Sequence, residues 1–115
     1  ANVYDKKAFN FYSKKQFLEA IESWRKAIEI IPNEDSYYLN IAQAYYQLGK
    51  MDKALNNLRK IEKLGIKENK GKFEFITASV LYQLKQFELA CQYAKKSSKL
   101  GNTQGVKLKE ILSCF

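Results

Sequence analysis

Ala42-Gln43-Ala44-Tyr45-Tyr46-Gln47-Leu48-Gly49-Lys50-Met51, followed by Asp52-Lys53-Ala54, is the stretch whose recurrence sets the fold. Its first five residues return upstream as Ala8-Phe9-Asn10-Phe11-Tyr12 and downstream as Ala78-Ser79-Val80-Leu81-Tyr82. Each block is followed, at one common offset, by a second alanine: Ala20, Ala54 and Ala90. The turn after Tyr46 returns as Gln83-Leu84-Lys85-Gln86-Phe87. The first step is 34 residues and the second 36, so two extra residues fall in the connector Gly65-Ile66-Lys67-Glu68-Asn69-Lys70-Gly71. A fixed period of this size marks a stack of like supersecondary units, none able to bury its apolar face alone.

Within each unit the apolar spacing is helical. Phe17, Ala20, Ile21, Trp24, Ala27, Ile28 and Ile31 recur at three-and-four intervals, one stripe of an amphipathic helix. Ala8, Phe11 and Tyr12, with Tyr4 one turn earlier, do the same for the helix before it. The polar segment Ser13-Lys14-Lys15-Gln16 separates the two, so the unit reads helix, tight turn, helix. Pro32 with Asn33-Glu34-Asp35 ends one helix and opens the next, and Gly65 and Gly101 stand where helix-terminating glycines belong. The small alanines let paired backbones approach, while Phe11, Trp24, Tyr45 and Leu58 fill the space beside them. After the third unit, Asn102 and Thr103 are candidate caps for a last helix whose Leu108, Ile111, Leu112 and Phe115 share a stripe. The expected organisation is three units over residues 1–34, 35–70 and 71–101, with a capping helix over 102–115 covering the open end.

These residues resemble the tetratricopeptide repeat, with its period of 34 and its tryptophan, alanine, aromatic and proline positions. Tyr4, Ala8, Phe11, Ala20, Trp24, Ala27 and Pro32 carry the likeness in the first unit, which departs from it at Lys7. Tyr38, Ile41, Ala42, Tyr45, Ala54 and Leu58 carry it in the second, with Ile61 where alanine is usual. The third keeps Ala78, Leu81 and Ala90 but has Glu74 and Ala94 at aromatic positions. The resemblance implies an all-α, right-handed superhelical solenoid of three antiparallel helix hairpins with a terminal capping helix. It also implies a scaffold or adaptor whose concave groove binds a peptide, helix or partner protein.

In that family the first helix of each hairpin faces the groove, which implies columns of equivalent residues. One is Tyr12, Tyr46 and Tyr82; others are Asp5, Leu39, Phe75; Lys6, Asn40, Ile76; Phe9, Gln43, Ser79; and Ser13, Gln47, Gln83. Tyrosine and phenylalanine would anchor apolar side chains and the amides a peptide backbone. The tyrosines have an equal second reading, as packing between hairpins. Members of the family that hold acidic chaperone tails grip two carboxylates with lysine, asparagine and arginine. The corresponding residues are Asp5, Phe9, Asn40, Lys72 and Ile76, of which Asn40 and Lys72 match; Asp5 would repel such a tail.

Twenty basic against twelve acidic residues give a net charge of +8, which favours a protein or peptide partner of acidic character. A helical-repeat RNA binder is the alternative. Scattered lysines, Arg25 and Arg59 as the two arginines, and no basic column along the first helices argue against nucleic acid. Histidine is absent, and no phosphate loop or metal-spaced cluster occurs, so neither an enzyme nor a cofactor or metal is implied. Cys91 and Cys114 form no metal pair; Cys91 reads as a small buried apolar residue, with a disulfide left open. No apolar run is long enough to span a membrane. With no targeting segment in view the expected location is the cytoplasm, with a bacterial periplasm or envelope as alternative if a signal or lipid anchor is removed. An uncovered repeat end, or the stripe from Leu108 to Phe115, leaves a homo-oligomer open.

Overall fold

The computed structural model describes residues 2–65, 67 and 69–114, and it is all-α. Among the described residues seven helices run in order: α1 (Val3–Ser13), α2 (Phe17–Ile30), α3 (Asp35–Gln47), α4 (Met51–Leu64), α5 (Lys72–Gln83), α6 (Phe87–Lys99) and α7 (Thr103–Ile111). They pack as antiparallel pairs, α1 with α2, α3 with α4 and α5 with α6, and α7 lies against α6 and α5. The chain divides into two compact units, Ala1–Ile66 and Lys67–Phe115. The division falls in the glycine-bearing connector, where the repeat step lengthens by two residues.

The three hairpin turns are built alike. Gln16 N donates to Phe11 O, Lys50 N to Tyr45 O and Gln86 N to Leu81 O, each at 2.9 Å. Such a six-to-one bond closes a helix through one left-handed residue. That residue is Gly49 in α3's turn, at φ 76°, and Lys15 and Lys85 in the other two, at φ 62° and 63°. Behind the turn, Ala20, Ala54 and Ala90 each donate to the residue just before the next helix, at Gln16 O, Lys50 O and Gln86 O. All three alanines are fully buried, as are Ala8, Ala42 and Ala78 facing them. The small side chains are therefore the contact points of each hairpin.

In the first unit Trp24, Ile41 and Leu58 are the largest fully buried side chains. α2 and α3 are also tied by a bond from Arg25 Nη2 to the Tyr45 hydroxyl, at 2.6 Å. Asn2 caps α1 by accepting from Tyr4 N, while its amide donates to Ala27 O at 3.0 Å. Several exposed lysines stand over rings: Lys7 and Lys26 over Tyr4, Lys53 over Tyr45 and Lys60 over Tyr38. Ile31 does not belong to the α2 stripe. It lies beyond the helix end and is exposed, because the bend into Pro32 turns it away from the pair.

In the second unit the cap is seated by small residues. Ser97 Oγ donates to Gly71 O at 2.8 Å, and a Cβ on Gly105 would overlap the Ser97 side chain. α5, α6 and α7 meet at this point, which has room for nothing larger. Asn102 is the cap of α7, accepting from Gly105 N at 2.8 Å. The expected apolar stripe does not cover the hairpin as a whole: Leu108 and Leu112 are half-buried, but Ile111 is 73% exposed. Phe115, the last position of that stripe, lies outside the described residues. Cys91 is half-buried and bonded to Cys114 across a Cα–Cα distance of 5.5 Å, which corrects its reading as a small buried apolar residue and settles whether a disulfide forms. The bridge forms because the turn after α7 carries Cys114 back onto α6. Thr77 on α5 is buried, and its hydroxyl has no hydrogen-bond partner among the described residues.

Candidate functional site

The first helix of each hairpin presents residues that the second helix leaves uncovered. On α1 the side chains of Asp5 and Phe9 are one helical turn apart and share one neighbour, Trp24 of α2. The indole Nε1 donates to Asp5 Oδ1 at 2.8 Å. Phe9 stands edge-on to the same indole, with ring centroids 5.3 Å apart and planes at 88°, yet it is 49% exposed. A buried tryptophan must find an acceptor for its N–H. Here that need fixes the rotamer of Asp5 and, through the ring contact, the pose of Phe9.

On α3, Asn40 is 7% exposed. Gln43 and Tyr46 are half-buried on the same helix, and Leu39 is buried. Leu39 therefore serves the core more than the surface. Tyr12 of α1 packs against Phe17 and Trp24, at 5.1 and 6.0 Å between centroids. Burial pushes its hydroxyl above the ordinary tyrosine range, and a hydrogen bond with the Gln47 side chain opposes that rise. Tyr12 thus acts first as packing between hairpin elements.

In the second unit, α5 opens with Lys72, which is exposed, followed by the half-buried Phe75 and the buried Ile76. Ser79 is half-buried and donates to Phe75 O at 3.0 Å, so its hydroxyl is engaged by its own helix. Tyr82 repeats the arrangement of Tyr12: it meets Phe87 of the next helix at 5.6 Å while remaining 40% exposed. Both tyrosines fasten a hairpin turn to the first residue of the following helix. Of the expected side chains, then, Asp5 and Phe9 are brought together by Trp24 on α1, Gln43 and Tyr46 are half-buried on α3, and Lys72, Phe75 and Tyr82 lie on α5 in the second unit. Trp24 was absent from the expected set because its spacing places it on the core stripe. Its polar N–H was the signal that it also holds a surface group.

The chain matches the TPR repeat over residues 10–49 and the tetratricopeptide repeat over residues 35–64. It is a tetratricopeptide-repeat domain. The TPR domain is 31% identical over 117 residues to the Hsp70-Hsp90 organising protein of Plasmodium falciparum, covering 91% of this chain and 20% of that protein. It is 38% identical over 59 residues to the small glutamine-rich tetratricopeptide repeat-containing protein 2 of Mycosarcoma maydis, covering 51% of this chain and 17% of that one. The chain thus spans about a fifth of the length of the curated relatives it matches. Among solved structures, the Arabidopsis OM64 TPR domain superposes with a TM-score of 0.89 at 21% identity, covering 96% of this chain and 92% of that one. The first TPR of Spaghetti (RPAP3), bound to the HSP90 peptide SRMEEVD, gives 0.85 at 20% identity, with 96% and 88% covered. At such identities the likeness is one of fold.

Proposed function

We propose that this TPR domain is a non-catalytic interaction module, a scaffold or adaptor that holds a polypeptide segment on the first-helix face of its repeats. The observation that carries this reading is the first-helix surface of the first unit, where Phe9 of α1 is 49% exposed and α3 carries the amides of Asn40 and Gln43 and the half-buried ring of Tyr46. An amide offers a donor and an acceptor together, which is what an extended backbone presents. The aromatic neighbours supply contact area with few rotatable bonds. The relatives support the reading, since one of them holds a peptide on this fold. The net charge of +8 draws acidic polypeptides at long range, whatever group is gripped at contact.

Panning a displayed random heptapeptide library over the immobilised domain tests this. Peptides should be enriched, and Asn40→Ala and Phe9→Ala should each weaken a selected peptide by roughly tenfold, about 1.4 kcal/mol. Failure to enrich any peptide would refute the reading, and tight binding of RNA in its place would favour the nucleic-acid alternative.

A further inference from the structure

We infer that Asp5 and Phe9 form a subsite for a cationic side chain, so that the polypeptide held on the first unit carries a lysine or arginine at this point. The inference rests on the reading above and specifies its chemistry. Asp5 is half-buried, in the first turn of α1, where free amide N–H groups favour a negative charge. Its Oδ1 is occupied by the Trp24 indole, and no cation among the described residues pairs with it. Oδ2 is therefore an acceptor already oriented, in a chain with an excess of eight positive charges.

One turn along the same helix, the ring of Phe9 is propped edge-on by the indole and half open to solvent. Carboxylate and ring lie at i and i+4, neighbours on one face of the helix. A lysine or arginine has the matching form, a long apolar stem ending in a charged head. The stem covers Phe9 while the head reaches Oδ2, and the ring face adds attraction for the cation. Lys6, next in sequence, is exposed and does not share Asp5's face. A carboxylate placed here would meet Asp5 at short range with no cation to offset it. Long-range attraction of an acidic partner and local selection of one basic residue within it are compatible, because screening removes the first within about 10 Å.

The test is the composition of peptides enriched from the heptapeptide library on the wild-type domain and on Asp5→Asn. Asparagine keeps an oxygen to accept from Trp24, so the emission of this single tryptophan and the thermal midpoint should stay in place while the charge is lost. The wild-type pool should show lysine and arginine at least threefold above the starting library, and the Asp5→Asn pool should not. For one selected peptide, replacing its lysine by norleucine should weaken binding roughly tenfold on the wild type and hardly at all on Asp5→Asn. A wild-type pool without basic enrichment, one rich in acidic termini, or equal pools from both proteins overturns the subsite and leaves the interaction reading standing. No enrichment on the wild type overturns the interaction reading itself.

Discussion

Opening the Cys91–Cys114 bridge should release α7 before it disturbs any other helix. The bond joins residues 23 apart, and a ring of that size removes about 3 kcal/mol of chain entropy from the open state. α7 has little else to hold it. It is nine residues long, shorter than the length at which an isolated helix is stable, and Gly105 is its one buried residue. Ile111 is largely in solvent, so the tail end of the helix is tethered mainly through Cys114. Amide hydrogen exchange with and without dithiothreitol, and on a Cys114→Ser variant, reads this directly. Protection over residues 103–111 should fall about a hundredfold, the equivalent of that entropy, while α1 to α4 keep theirs. If both thiols titrate as free and α7 remains as protected as before, then the contacts around Gly105 and Ser97 hold the cap and the argument is wrong.

Four further outcomes follow from the packing and the turns. Thr77→Val should raise stability to urea by about 1 kcal/mol, since it removes a buried hydroxyl without a partner and keeps the shape. Gly105→Ala should cost about 2 kcal/mol and lower the helical circular dichroism, because the new Cβ lies 2.6 Å from Ser97 Cβ. Gly49→Ala, where nothing stands within 4 Å, should cost only the roughly 1 kcal/mol of its positive φ. The Tyr12 hydroxyl titrates above the ordinary range in the folded chain, so the unfolded chain loses that proton first. Its contribution is fully present below the unfolded value, about 10, and declines as pH rises from there toward the folded value; Tyr12→Phe should flatten this part of a urea-midpoint profile against pH.

The sequence by itself determined the helical hairpins and the family to which they belong. Period, alanine pairs and turn residues are properties of contiguous chain, and helices answer to spacing of three and four whatever surrounds them. The equivalence of Lys15, Gly49 and Lys85 in the three turns is of this kind, since the same six-to-one closure is repeated at one offset. Tertiary structure alone decided the rest. Trp24 and Asp5 are 19 residues apart, Ser97 and Gly71 26, and Cys91 and Cys114 23, and each pair meets only because packed helices bring them together. The same holds for Leu39 and Ile76, which a column places on a surface and packing buries. Spacing says which way a side chain leaves its own helix; what it meets there depends on the helices packed alongside.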